Sequence, residues 1–267
     1  MSQCIWSKSA AQYAKSAPKI SFYRDTAKFS AEILDKYDYK NFVDLGCGSS
    51  NLIANALLRG KPHRQLTCTD AATGMIEVAK RHNIYPNAKY LAVNSEHIQF
   101  EPNSQCCFLA NSAFWMFDFE DTLSRIRAQL KCNGGLLVNF SEWDLQDGTQ
   151  DKLRYQLIDQ QLALGGFSNK VHRGTAKKYC QNKLIDIIKS HGFSVPEVLT
   201  KRVIVTKTDW IEFYKIPAIA NKSLPHLTLT DAQRTLHLAM KALPDDYQHT
   251  MQWLYIKAIK MPRALSK

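Results

Sequence analysis

The segment Val43-Asp44-Leu45-Gly46-Cys47-Gly48-Ser49-Ser50-Asn51 carries the residues of this 267-residue chain best suited to chemistry. An apolar run ends in a glycine turn, and the turn opens a stretch of helical pattern. Glycines at 46 and 48 let the backbone reverse tightly and approach a ligand closely, while the start of the following helix offers unpaired N–H groups. Such spacing fits an adenine-nucleotide-like ligand. Asn51 replaces the third glycine of the dinucleotide fingerprint G-x-G-x-x-G, which argues against a nicotinamide dinucleotide. Asp44, two residues before Gly46, is placed to hold the turn or a ligand amine. A second acid, Asp70, lies 22 residues beyond Gly48 at the end of the next apolar run, where a carboxylate can accept hydrogen bonds from both hydroxyls of a ribose. Two strand-terminal acids with a glycine turn between them are harder to explain by packing than either acid alone.

These residues need strands to hold them. Residues 41–45 (NFVDL), 65–69 (QLTCT), 89–93 (KYLAV), 106–110 (CCFLA) and 136–140 (LLVNF) have strand length and composition. Amphipathic segments near 52–59, 74–82 and 121–131 lie between them, the last expected to stop at Asn133-Gly134-Gly135. The alternation predicts a doubly wound α/β fold with a mostly parallel sheet covered on both faces. Residues 11–37 read as helical with a break at Pro18, so 1–40 form an expected helical cap. Helices are also expected at 150–164 and 175–191, and two further strands at 199–206 and 249–260 bring the sheet to seven. Residues 209–245, helical around 210–214 and 231–243, form an expected lid, leaving 41–208 and 246–267 as the core.

Composition narrows the function classes. A hydrophobic content of 45% and a charged content of 22% belong to an ordinary globular protein. No apolar run reaches the roughly 18 to 20 residues that span a bilayer, and residues 1–10 lack the apolar stretch of a secretory signal. The expectation is therefore a cytoplasmic protein with no membrane partner. The seven cysteines include no C-x-x-C pair or zinc-type cluster, so they read as reduced thiols and no metal is expected. Cys106 and Cys107, being neighbours on a strand, point to opposite faces. A net charge of +11 favours anionic partners such as nucleic acid, an acidic cofactor or a carrier protein, or is simply a solvated basic surface. The basic residues are dispersed, with no run of five.

From about residue 41 to 143 the chain resembles class I S-adenosylmethionine-dependent methyltransferases, with V-D-L-G-C-G as the glycine motif and T-D-A-A-T-G-M after the second strand. The resemblance implies S-adenosylmethionine as cofactor and a Rossmann-like methyltransferase fold. It implies that Asp70 binds the ribose, that Ala71 and Met75 flank the adenine, and that Gly46, Cys47 and Gly48 pass under the methionine part. Asn94 stands where relatives usually carry an Asp that meets the adenine amine, and Ser95 follows it into the site; an amide carbonyl there still accepts from an amine. The segment Phe108 to Phe117 is similar to that of small-molecule carboxyl methyltransferases acting on trans-aconitate or malonyl-carrier thioesters. This puts Asn111 and Ser112 beside the cofactor, with Phe114 and Trp115 either near the acceptor or in the core. An Asp frequent before this strand's apolar residues is replaced by Cys106 or Cys107. Amino methyltransferases with N-P-P-[YF] at this point do not match Asn111-Ser112-Ala113-Phe114, and an RNA cytosine enzyme would need a nucleophilic cysteine in a comparable loop.

Methyl transfer from a sulfonium is an in-line displacement, in which positioning supplies much of the rate. A carboxylate acceptor needs no general base, whereas a hydroxyl or a protonated amine does. Glu142 is the candidate base, or else an ordinary loop carboxylate, and Tyr23 is the second catalytic candidate. Tyr13 and Arg24 from the cap, Trp143 from the exit of the fifth strand, and Trp210 and Tyr214 from the lid join Phe114 and Trp115 as candidate substrate-binding residues. His172 and Arg173 could serve an anionic substrate. The leading expectation is O- or N-methylation of a small molecule, free, carrier-bound or anionic. Methylation of RNA or protein on the basic surface and a non-catalytic binding protein are the alternatives.

Overall fold

The computed structural model describes residues 2–142, 151–167 and 180–262. Seven strands form one sheet: β1 (Asn41–Leu45), β2 (Gln65–Asp70), β3 (Ala88–Ala92), β4 (Gln105–Ala110), β5 (Leu130–Ser141), β6 (Glu197–Thr206) and β7 (Gln248–Ile259), in the order β3-β2-β1-β4-β5-β7-β6. β7 runs antiparallel to β5 and β6, and the other pairs are parallel. The chain winds outward from β1 to β3 and then returns to place β4 on the other side of β1. Strand order therefore reverses between β1 and β4, which opens a crevice at their carboxyl ends. The doubly wound, mostly parallel seven-stranded architecture is the expected one.

Period-two alternation divides the core into two layers. Phe42, Cys107, Leu109, Leu137, Trp253 and Tyr255 face one side, under α2 (Ser21–Leu34), α3 (Leu52–Leu58) and the helices between β6 and β7. Val43, Leu45, Phe108, Val138, Phe140 and Ile256 face the other, against α5 (Phe119–Gln129) and α7 (Gln181–Ser190). The remaining helices are α1 (Ser2–Ser16), α4 (Thr73–Arg81), α6 (Lys152–Leu164) and, between β6 and β7, α8 (Lys207–Tyr214), α9 (Pro217–Ser223) and α10 (Leu229–Lys241). Among the described residues no helix is long and apolar enough to cross a membrane.

Among the boundaries that differ from expectation, two bear on the packing around β1 and β5. The first helix begins at Ser2 rather than Ala11, and the chain breaks at a 3-10 turn over Ala17–Lys19, where Pro18 takes an early helical position. The helix before β5 ends at Gln129, not at the Asn133-Gly134-Gly135 stop, because Leu130 already pairs with Gln105. The next pair in that ladder is Cys107 with Gly135, so residues 131–134 bulge out, with Asn133 at φ 62°.

Phe114 belongs to the second layer. Its ring is fully buried, with centroids 4.3 Å from Phe119 and 5.6 Å from Phe117. It is a core residue, which corrects the acceptor-facing expectation: the apolar space under the β4 exit takes the ring inward. Phe114→Ala should cost about 3–5 kcal/mol of stability in denaturant unfolding, a loss a substrate-facing ring would not produce.

Candidate functional site

At the end of β1 the backbone turns through Gly46 at φ 69° and Gly48 at φ 62°, a region side chains rarely tolerate. Space adds a second constraint. A Cβ on Gly46 would lie 2.6 Å from the Ala113 Cβ, and one on Gly48 would lie 2.8 Å from Cε1 of Tyr13. The Cys47 N–H donates to the Thr69 carbonyl at 2.9 Å, prolonging the β1–β2 ladder into the turn. The Gly48 N–H then donates to Asp70 Oδ2 at 3.0 Å, and the Ala72 N–H donates to Oδ1 at 2.9 Å. The glycine turn and the second acid thus form one site. Each Asp70 oxygen accepts one backbone bond and keeps further acceptor capacity, as a ribose diol requires.

Asp44 lies beneath them, 2% exposed. Burial first, and the neighbouring Asp70 charge second, push its carboxyl well above the usual carboxylate range, and no donor among the described residues is placed on it. Asp70 is also raised by burial, against the two backbone N–H groups that favour its charge. No cation contributes to either shift. In a chain of net charge +11, two adjacent carboxylates without a basic partner suit a ligand that brings its own positive charge. Cys47 is no nucleophile, because its hydrogen bond to Cys68 and its burial keep the thiol protonated.

Helix α1 roofs this cleft. Ser49 Oγ donates to the Ala10 carbonyl at 2.7 Å, the Gly74 N–H donates to Ser7 Oγ at 3.2 Å, and Tyr13 stands over Gly48. Burial, followed by the charges of Tyr23, Asp70, Cys47 and Asp44, raises the Tyr13 phenol well above its ordinary value. Met75 is buried with Ala72 and Val78 under Ala10, Trp6 and Tyr13, while Ala71 is half-buried. Asn94 is turned locally, its Nδ2 donating to Glu96 and its Oδ1 accepting from the buried Ser95. Asn111 and Ser112 sit at the β4 exit beside the turn, as Ala113 shows by its approach to Gly46. Trp115 is half-buried there, its indole N–H on the Ser112 carbonyl at 3.1 Å and its ring 3.4 Å from Lys222 Nζ of α9.

Other expected residues do not join the cleft. The Glu142 carboxylate lies 3.0 Å from His249 Nε2 and accepts from the Gln252 N–H at 3.3 Å, so it clasps β7 and is not poised as a base. Tyr23 packs against Phe22 and Phe213, one ring removed from the turn behind Tyr13. Arg24 pairs with Asp25 at 3.2 Å in a groove shared with Lys19, Lys201 and Arg202, away from the tips of β1, β2 and β4. Trp210 is wholly buried against Phe22, with the Arg154 guanidinium 4.1 Å from its ring centroid, and Tyr214 receives a hydrogen bond from the same arginine. Both therefore secure the base of the helical insertion, a correction that follows from α8 turning its aromatic face inward. Trp143, His172 and Arg173 lie outside the described residues.

A profile described as a methyltransferase domain matches residues 42–134. These residues form a class I S-adenosylmethionine-dependent methyltransferase domain. The chain is similar to malonyl-[acyl-carrier protein] O-methyltransferase of Priestia megaterium, 28% identical over 155 residues, covering 55% of this chain and 54% of that protein. The chain thus matches about half the length of this curated relative. Among solved structures, the YcgJ protein from Bacillus subtilis superposes with a TM-score of 0.59 at 13% identity, covering 89% of this chain and 99% of that one. Haemonchus contortus phosphoethanolamine N-methyltransferase 2 in complex with S-adenosyl-L-methionine gives 0.53 at 18% identity, covering 86% and 52%. At these identities the likeness is one of fold.

Asn139 and Ser7 escaped the sequence reading, and Gly74 entered it only within the T-D-A-A-T-G-M motif and its helical segment. The sequence does mark two of them: Asn139 interrupts the apolar run of β5, and Gly74 opens a helix opposite the small residues of α1. A Cβ at Gly74 would meet the Ser7 carbonyl oxygen at 2.6 Å and Cα at 2.8 Å, and backbone has nowhere to yield. Gly74→Val should therefore lift α1 from the methyltransferase domain, at a cost of about 1–3 kcal/mol. Hydrogen exchange should speed in α1 while the central strands keep their protection; unchanged exchange would show that α1 does not depend on this contact.

Proposed function

We propose that the protein transfers the methyl group of S-adenosylmethionine to an oxygen or nitrogen of a small-molecule acceptor, with a carboxylate oxygen the best supported. The observation that carries the reading is the unpartnered Asp44 carboxylate beside an Asp70 bonded to Gly48. Residues 46–48, Asp44 and Asp70 would hold the cofactor, Asp70 by the ribose hydroxyls and Asp44 by the positive charge of the methionine end. When bound, the cofactor supplies an electrophilic methyl on a sulfonium. The chain's own part is to fix both partners in line and to exclude water. Tyr13 and α1 cover the cleft, and Trp115 with Lys222 stands at the β4 exit.

Two features support a small acceptor that is already nucleophilic. The cleft is roofed by α1, which is itself tied to the insertion through Ser9 Oγ, accepting from the Ala218 N–H, and Ser16 Oγ, donating to Glu212. A large polymer would have to displace that roof. With Glu142 committed to His249, the expected base is engaged, and a carboxylate acceptor needs none. The relative named for O-methylation of malonyl-[acyl-carrier protein] is consistent with an acceptor of this kind, free or carrier-bound. The seven free cysteines fit a cytoplasmic setting. Methylation of RNA or protein draws support from the +11 charge alone, and a non-catalytic role leaves the paired acids without a purpose.

The raised carboxyls set the sign of the pH dependence. A carboxyl held above its ordinary range keeps its proton to higher pH than a free carboxyl does, so a cationic ligand that favours the ionised form shifts that titration down and releases protons across the range. Affinity for S-adenosylmethionine should rise with pH below neutrality. Calorimetry in buffers of differing ionisation enthalpy should show net proton release, which Asp44→Asn reduces. Asp70→Ala should weaken binding about 100-fold, equivalent to about 2.7 kcal/mol. Binding that is indifferent to pH and to both substitutions would overturn the reading, as would the lack of any small or carrier-bound methyl-labelled product when malonyl-loaded carrier protein and a metabolite extract are both supplied with methyl-labelled cofactor.

A further inference from the structure

Asn139 is 1% exposed near the carboxyl end of β5, on the face turned toward α2. Its Oδ1 accepts from the Ser112 N–H at 2.6 Å, and its Nδ2 donates to Asn111 Oδ1 at 2.8 Å. One side chain therefore holds two successive residues of the β4 exit. Asn111 is held from the other side as well: its Oδ1 accepts from Ser30 Oγ at 3.1 Å and its Nδ2 donates to Thr26 Oγ1 at 3.2 Å, both on α2.

Ser112 has φ 61°, the left-handed conformation that disfavours any residue with a Cβ. Its own hydroxyl does not stabilise that conformation, since Ser112 Oγ is buried without a hydrogen-bond partner. What holds the residue is the bond from its N–H to Asn139 and the bond from the Trp115 indole to its carbonyl. The next residue, Ala113, has its Cβ 2.6 Å from the position a Cβ on Gly46 would take. The conformation of Ser112 thus decides where Ala113 lies, and Ala113 abuts the first glycine of the ligand turn.

We infer that Asn139 is a positioning residue of this methyltransferase: by holding Ser112 in its left-handed conformation, it sets the separation between the β4 exit and the glycine turn, and so the width of the cleft that receives the methionine end of the cofactor. The inference rests on the reading of the 46–48 turn as the cofactor site. Asn139 touches neither cofactor nor acceptor in this role; it acts through Ser112 and Ala113.

A mutant cycle tests it, with S-adenosylhomocysteine as the probe in calorimetry and thermal unfolding measured in parallel. Asn139→Leu, close in size but unable to accept or donate, should weaken binding 10-fold or more and lower the melting temperature. Adding Ser112→Gly should recover most of the lost affinity, because glycine adopts φ 61° without being held there. The melting temperature should stay low, since the bond from residue 139 to Asn111 is still missing. Affinity equal to wild type in Asn139→Leu overturns the inference, and so does a double variant that binds no better than Asn139→Leu, because Asn139 would then be a core residue only. If Asn139→Leu does not fold, Asn139→Ala, which leaves room for water at both lost bonds, is judged by the same two outcomes. If the wild-type protein does not bind S-adenosylhomocysteine, the cofactor reading itself fails and the inference falls with it.

Discussion

The site depends on the carboxylate of Asp70 taking hydrogen bonds from the N–H groups of Gly48 and Ala72. Those bonds join the tips of β1 and β2 and fix the glycine turn at its far end, beyond the bond from the Cys47 N–H to the Thr69 carbonyl. They also place a buried carboxylate beside Asp44, whose carboxyl has no donor among the described residues. The free protein therefore keeps an unfavourable pair of acids at its ligand cleft, and a ligand carrying a positive charge relieves it. That strain is tolerable because the backbone N–H groups already favour charge on Asp70, leaving most of the burden on Asp44.

The helices around this point form a connected cover. α1 contacts the turn through Tyr13, the start of α4 through Ser7, and the insertion through Ser9 and Ser16. α2 reaches the β4 exit through Thr26 and Ser30, and Tyr255 of β7 donates to the Thr26 carbonyl at 3.0 Å. Polar bonds of this sort demand particular geometry, unlike the apolar packing of Phe22 against Trp210 on the same layer. The cover is therefore held to one position relative to the strand tips rather than merely pressed upon them.

Much of the fold was legible because its signals are local. Each strand had its apolar run, Pro18 marked the break between the first two helices, and the glycines and Asp70 announced the crevice by type and spacing. Direction was harder to read. A tryptophan at 210 and a phenylalanine at 114 suit a pocket or a core equally well in sequence, and the structure turned both inward, where Arg154 and the ring of Phe119 were waiting. Glu142 follows a strand end as a base would, but its partner His249 comes from a strand over a hundred residues later. Asn139 was passed over because a polar residue within an apolar run reads as an imperfection until its two partners just beyond β4, Asn111 and Ser112, are known.

The insertion between β6 and β7 begins and ends at one place, since Thr206 and Gln248, the residues that bracket it, are paired across the ladder. Three helices therefore hang from what is topologically a single hairpin loop. The two strands that carry them stay paired as far as Glu197 and Lys257, and the glycine turn belongs to different strands altogether. Such a layout leaves the loop of that hairpin separate from the strands whose ends hold Gly46, Gly48 and Asp70.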